Sequence, residues 1–174
     1  MFGIEGLELS TPLRVGLGYD SHRFEPGRPL VLGGITIPGH PGLAGHSDGD
    51  AITHAVIDAI LGAVALGNVG THFPPTEEKW KDADSLELLS SVVEVIDREG
   101  WMVVNVDVAV ICESPQISFV AGEMKERLSG VLQVPVERIS IKGKTNEGMG
   151  WIGESEGLAV HAVALVATLS LIHI

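Results

Sequence analysis

Asp20 and His22 stand two residues apart at the end of an apolar strand pattern, and His54 follows the run His46-Ser47-Asp48-Gly49-Asp50 by four residues. Val15, Leu17 and Tyr19 alternate with Gly16 and Gly18, the period-two signature of a strand with small residues on one face. Side chains two apart on a strand point the same way, so Asp20 and His22 can offer a carboxylate and an imidazole to one ion. A helical pattern beginning near Asp48 supplies His54 as a third ligand. Three protein ligands with a fourth position open is the arrangement of catalytic zinc, whereas structural zinc sites are closed. Asp-x-His on a strand and a helix His with acidic neighbours also fit a solvated surface, and the spacing alone leaves both readings open.

The elements that must position these residues can be read from the same stretch. Ser47 is a good N-cap, with Asp50 three residues on as a variant of the capping box. From there a helix is expected from Asp48 to Ala65, with Ile52, Val56, Ile60 and Ala63 as its buried stripe. His54 lies about 200° around the helix from that stripe and points away from it. Asp50, His54 and Asp58 share its face at i, i+4 spacing. Either carboxylate would there fix the imidazole tautomer from behind the metal or serve as a solubilising charge. The backbone N–H groups at the helix start favour an anion such as phosphate.

Elsewhere the pattern alternates strands and helices. Leu30 to Leu32 and Ile35 to Ile37 flank Gly33-Gly34, a type I′ hairpin signal. Residues 66–81 read as irregular, broken by Gly67, Gly70 and Pro74-Pro75, and serve either as a flap over a site or as a connector. Asp84 or Ser85 caps a second helix with Leu86, Leu89, Val93 and Ile96 inward and Gly100 as its stop. A strand over 103–111, a helix over 117–132 with Val120, Met124, Leu128 and Val131 inward, and strands over 137–142 and 158–169 complete the chain. Val104, Val106, Val108 and Val110 are expected on one face of the middle strand, and the last strand is apolar on both faces. The reading is an α+β two-layer fold: a four- to five-stranded mixed sheet with three helices on one face. The other sheet face then needs a cover, and another subunit is the simplest one.

At 174 residues the chain is long enough for one domain with a real core, expected over residues 14–170 behind a tail over 1–13. Its net charge of −12 disfavours nucleic acid and anionic membranes as partners. An anionic substrate would need metal ions or backbone amides to offset that field. The single cysteine, Cys112, allows no intramolecular disulfide, which fits a reducing compartment. No apolar run is long enough for a membrane span and no signal peptide is visible.

The run Arg14-Val-Gly-Leu-Gly-Tyr-Asp-Ser-His-Arg-Phe24, the block His46 to His54, and Thr145-Asn-Glu147 ahead of a Gly-Trp-Ile-Gly stretch together resemble the 2-C-methyl-D-erythritol 2,4-cyclodiphosphate synthase family of the non-mevalonate isoprenoid pathway. The resemblance covers roughly residues 14–169. It implies a homotrimer with sites between subunits, zinc on Asp20, His22 and His54, and magnesium or manganese on Glu147. It implies that His46 and Thr145, with Glu147, act on the phosphates, and that Ser47 contacts phosphate. The methylerythritol part would meet Asn68, Val69, Gly70, Phe73, Pro74, Pro75, Thr76 and Glu77, with Lys144, Asn146 and Trp151 nearby. The cytidine would sit against Cys112, Glu113, Ser114, Pro115, Gln116, Ile117 and Ser118. For Cys112 itself the plainer reading is a small buried hydrophobe. The implied location is the cytoplasm of a bacterium, or a plastid stroma if the tail is a trimmed transit peptide.

Three positions depart from that family's usual pattern. Asn68 replaces an Asp at a substrate hydroxyl, Gln116 a Lys facing the nucleotide phosphates, and Glu154 an Arg. Two other functions stay open on the sequence. One is a zinc phosphohydrolase with His46 as general base. The other is a non-catalytic trimer that binds isoprenoid or nucleotide ligands, with structural zinc.

Overall fold

The computed structural model describes residues 12–169. Most of the expected tail, and the expected last domain residue 170, lie outside them. Leu13 already opens the first strand, β1 (Leu13–Glu25). The hairpin β2 (Leu30–Leu32) and β3 (Ile35–Ile37) follows, then β4 (Gly42–Leu43) and helix α1 (Ala51–Ala63). A one-turn helix α2 (Val69–His72) and a 3-10 turn (Glu78–Trp80) interrupt the stretch expected to be irregular. Helix α3 (Ser85–Arg98), strand β5 (Trp101–Ile111), helix α4 (Ala121–Leu132), strand β6 (Ile139–Lys144), the short α5 (Gly150–Gly153) and strand β7 (Gly157–Thr168) complete the order.

The architecture is α+β: a five-stranded mixed sheet in the order β4-β1-β7-β5-β6, antiparallel except for the parallel β5–β6 pair. α1 lies across β1, β7 and β5, with α3 and α4 beside it on the same face. The hairpin is a separate two-stranded unit. Its two turn glycines have φ of 57° and 74°, as the type I′ turn requires, and its tip sits against Met124 of α4 and Leu86 of α3.

β1 sets the position of everything that follows. Gly16 and Gly18 face α1, and the same strand phase continues into Asp20 and His22. A Cβ on Gly18 would lie 1.8 Å from the Ala55 carbonyl oxygen, and one on Gly16 would lie 1.9 Å from that of Ala59. Only glycine lets the helix backbone rest directly on the strand. The opposite phase, Val15, Leu17 and Tyr19, is on the helix-free face and exposed, in register with Leu165, Val163 and His161 of β7.

Three local expectations change. α1 is buried almost all round rather than along one stripe, because it is sandwiched between the sheet and α3; only Asp58 and Gly62 are not fully buried. It starts at Ala51 and is capped by Asp50, whose carboxylate accepts from the Thr53 N–H at 3.0 Å, so Ser47 is not its N-cap. In β5 a bulge between Val103 and Asn105 brings Val103, not Val104, into phase with the buried Val106, Val108 and Val110. Less drastically, α3 buries Leu88 and Val92 with Leu89 and Ile96, while Leu86 and Val93 sit at its margin. α4 buries Met124, Leu128 and Leu132, leaving Val120 and Val131 at the margin.

The glycine contact yields a direct test. Gly18→Ala must push α1 off β1 against backbone rather than a pliable side chain. It should therefore destabilise the protein by at least about 3 kcal/mol in denaturant unfolding, the upper end for overpacking. Wild-type stability in this variant would contradict the close approach.

Candidate metal centre and flanking cavities

Asp20 and His22 come off β1 on the face that α1 covers, and His54 stands in the first turns of α1 directly above them. One carboxylate oxygen, Asp20 Oδ2, lies 2.8 Å from His22 Nε2 and 3.0 Å from His54 Nδ1. The three side chains are, among the described residues, a group whose donor atoms all fall within 4.8 Å of one another. Ligand atoms on a four-coordinate ion with bonds of about 2.0–2.1 Å lie roughly 3.3 Å apart. The two spacings from Asp20 Oδ2 therefore need to open by only a few tenths of an ångström to seat an ion.

The remaining ring nitrogens are each engaged behind the site. His22 Nδ1 meets the Ala44 carbonyl, which can only accept, so that nitrogen carries a proton and Nε2 is the nitrogen a metal would take. His54 Nε2 lies 3.0 Å from both Ser47 Oγ and Ser85 Oγ, and Ser85 in turn donates its hydroxyl to Asp48. The Asp48 carboxylate also accepts the Ser85 N–H at 3.0 Å. This chain delivers a proton position on Nε2 and leaves Nδ1 free to ligate. Such partners fix the tautomer and orientation of a metal-binding imidazole.

The carboxylates expected to do that work do other work. Asp50 is fully buried and accepts from Gly33 N–H at 2.9 Å, Gly34 N–H at 2.7 Å, and both the N–H and hydroxyl of Thr53. It joins the hairpin to α1 and touches neither imidazole, so it is neither the expected backing group nor a solubilising charge. Asp58 accepts the Val69 N–H at 2.7 Å and pins the start of α2. Burial and the Asp20 charge push its carboxyl up against that hydrogen bond.

The electrostatics suit a cation. Burial alone would raise the Asp20 carboxyl, but hydrogen bonds and charge from His22 and His54 outweigh it and hold the group well below the usual carboxylate range. Burial alone would lower His22, but Asp20 outweighs it and the imidazole is raised. The carboxylate thus stays ionised, and a proton and a metal compete for His22 Nε2.

A cavity of about 230 Å³ opens beside the triad. Its walls include His46, Ser47, Val69, Gly70, Phe73 and Pro75, all expected there, together with Trp80 and Leu88, which were not. Arg28 holds the His46 loop by donating to the carbonyls of Gly45 at 2.7 Å and Ser47 at 2.6 Å. Asn68 uses its carbonyl oxygen to cap α2, at 3.0 Å from the Thr71 N–H. Pro74, Thr76 and Glu77 do not line the cavity.

A second cavity, about 350 Å³, is lined by Cys112, Glu113, Pro115, Gln116, Ile117, Ser118, Lys144 and Thr145. Glu113 accepts the N–H groups of Asn146 and Gly148 at 2.9 and 3.2 Å, holding the turn after β6. In that turn Thr145 donates to Glu147 at 3.2 Å and Asn146 to the Met149 carbonyl at 2.7 Å. Ser114 turns outward, 3.3 Å from His40 Nδ1. The Cys112 thiol is buried and pushed up to about 11 by that burial and by Glu113, so it is not a nucleophile at neutral pH. Trp151 lies apart, in a third cavity with Ser21, His22, Arg23 and Glu156.

Within one chain the expected site is therefore divided. β7 separates β1 from β5, and β7 with β5 separates it from β6, so the strand axes carrying the two halves lie roughly 10 and 14 Å apart. Asp20, His22, His46, Ser47 and His54 gather on one side. Thr145, Glu147 and the segment 112–118 gather on the other.

The YgbB family profile matches residues 13–167. The chain is 53% identical over 153 residues to a protein of Symbiobacterium thermophilum named 2-C-methyl-D-erythritol 2,4-cyclodiphosphate synthase, covering 88% of this chain and 98% of that one. Among solved structures it resembles the bifunctional IspDF from Campylobacter jejuni, with a TM-score of 0.87 and 36% identity. That match spans 91% of this chain but 43% of the bifunctional one. It also resembles a CDP complex of IspF from Plasmodium falciparum, with a TM-score of 0.78 and 34% identity over 90% of this chain and 96% of that one.

The backing chain predicts that Ser85→Ala weakens metal binding by about 10- to 100-fold, as other lost partners of ligating histidines do. Competition with a chromogenic chelator, using zinc as the probe ion, measures this. An unchanged dissociation constant would show that Ser85 does not orient His54.

Proposed function

This chain belongs to the YgbB family, and from that membership and its metal triad we propose that it converts 4-diphosphocytidyl-2-C-methyl-D-erythritol 2-phosphate to 2-C-methyl-D-erythritol 2,4-cyclodiphosphate and CMP. It is an enzyme of isoprenoid precursor biosynthesis, acting as a phosphorus–oxygen lyase. The observation that carries the reading is the convergence of Asp20 Oδ2, His22 Nε2 and His54 Nδ1, with the opposite nitrogens already bonded.

An oxygen of the 2-phosphate bonds to the β-phosphorus, the bond from that phosphorus to the α-phosphate oxygen breaks, and CMP leaves with the electron pair. Nucleophile and electrophile belong to one molecule, so the protein's work is to bend and hold a polyanion. Zinc held by Asp20, His22 and His54 would supply Lewis-acid polarisation of a diphosphate oxygen. Magnesium or manganese at Glu147 would offset phosphate charge, a role suited to a hard carboxylate. His46 and Thr145 hold the phosphates from opposite sides, with Ser47 and Lys144 beside them. The backbone of Val69 and Gly70, with the walls at Phe73 and Pro75, receives the methylerythritol part. Asn68 has its amide nitrogen left for a substrate hydroxyl, since its oxygen caps α2. The nucleotide takes the cavity at Cys112 to Ser118, and Gln116 there offers a hydrogen bond without a charge.

We infer a homotrimer of single domains spanning residues 14–170. Two observations support it: the exposed Val15, Leu17, Tyr19 and Val163 on the helix-free sheet face, and the strands that separate the two half-sites within one chain. Packing those faces around an axis buries them and lets the triad of one subunit meet the nucleotide cavity of the next. The assignment to the cytoplasm, or to a plastid stroma, follows the family. No helix among the described residues is long and apolar enough to cross a membrane.

Phosphorus NMR of the products formed in isotopically labelled water tests the reaction. The expected products are a cyclic diphosphate free of solvent oxygen and equimolar CMP. Linear products carrying solvent oxygen would mean hydrolysis and would replace the cyclase with a phosphohydrolase.

A further inference from the structure

Among the described residues, two buried side-chain nitrogens have no hydrogen-bond partner: His46 Nε2 and Trp80 Nε1. Both residues line the cavity beside the metal triad. Leaving a buried polar atom unpaired costs about 1–3 kcal/mol, and native proteins carry few such atoms. Both belong to residues of one cavity wall, so the partner each lacks is one that the filling of that cavity can bring within reach. Both atoms are closed to solvent, so bulk water does not satisfy them.

The segments carrying them are tied together. The Asp82 N–H donates to the His46 carbonyl at 2.9 Å, and the Asp48 N–H to the Ala83 carbonyl at 3.2 Å. The indole is held from two sides: Phe73 meets it edge-on at 5.0 Å between centroids, and Lys79 Nζ lies 4.6 Å from the ring centre. An apolar wall alone would need the ring but not its N–H. An indole nitrogen only donates, so its partner must be an acceptor oxygen. In the strap, residues 73–80, Thr76 to Lys79 are exposed, while Phe73 and Trp80 pack against the core.

We propose that Trp80 is a substrate-binding residue whose indole N–H donates to an oxygen of the phosphorylated polyol, the same part of the ligand that His46 meets. This rests on the reaction proposed above for its ligand class. Trp80 lies outside the residues, within 68–77, that the family resemblance implies for the methylerythritol part. The strap's final 3-10 turn (Glu78–Trp80) brings it back to the cavity.

Trp80→Phe keeps an aromatic wall and removes only the donor. Its kcat/KM should fall about tenfold, the worth of one hydrogen bond to a ligand. Bound zinc should match the wild type, and the melting temperature without ligand should be no lower, because the variant removes the unpaired N–H. In the wild type labelled with ¹⁵N-tryptophan, the indole cross-peak missing from Trp80→Phe should move downfield in its proton dimension on titration with 2-C-methyl-D-erythritol 2,4-cyclodiphosphate. The peak of Trp101, at the far end of β5, serves as the internal control. Undiminished kcat/KM in the variant, or a Trp80 peak unmoved at saturation, overturns the proposal. A wild type that binds the cyclodiphosphate but does not turn over the substrate sinks the reaction reading alone, and the cross-peak then decides on Trp80.

Discussion

The site depends on how closely α1 lies against β1. Gly16 and Gly18 present no side chain, so the carbonyls of Ala59 and Ala55 rest where Cβ atoms would otherwise be. That contact fixes helix height over the sheet at the point where the strand's inward phase passes from glycine to Asp20 and His22. His54, the neighbour of Ala55, is thereby lowered onto the same carboxylate oxygen that His22 reaches. A bulkier strand would hold the imidazole away from Asp20, and no adjustment of rotamers would recover the geometry.

Around this contact the chain spends its buried polar groups on two separate tasks, both drawn from one five-residue block. Asp50 joins the hairpin turn to the start of α1 through four hydrogen bonds and keeps the helix in place. Asp48 reaches the start of α3 and, through Ser85, the far nitrogen of His54. Low dielectric makes such networks stiff when satisfied and costly when not. They are satisfied behind the metal triad, and unsatisfied at His46 Nε2 and Trp80 Nε1, buried atoms of two residues that line the neighbouring cavity. Rigidity behind the ligands and unmet hydrogen-bonding capacity in front of them is what a site of positioning and charge neutralisation requires.

Features set by short-range pattern were legible in the sequence. The period-two run through Tyr19 placed Asp20 and His22 on one face, Gly33-Gly34 marked the hairpin turn, and Asp84 with Gly100 bounded α3. What failed needed knowledge of a partner element. Asp50 reads as an outward helix charge until the hairpin arrives above it. Ser85 reads as a helix start until Asp48 and His54, 37 and 31 residues earlier, are folded against it. The bulge at Val104 leaves no signature in a run of valines. The division of the site between two ends of the sheet follows from strand order, which local periodicity does not encode. Trp80 was hidden for the same reason, since its role comes from a cavity assembled by four separate segments.

The central claim is that three named atoms hold one divalent metal ion. Crystals of the protein purified without chelators, measured across the zinc absorption edge, address it directly. One anomalous peak per chain is expected, about 2.0–2.2 Å from Asp20 Oδ2, His22 Nε2 and His54 Nδ1. No peak between those atoms with zinc in excess, or a peak held by other side chains, would contradict it.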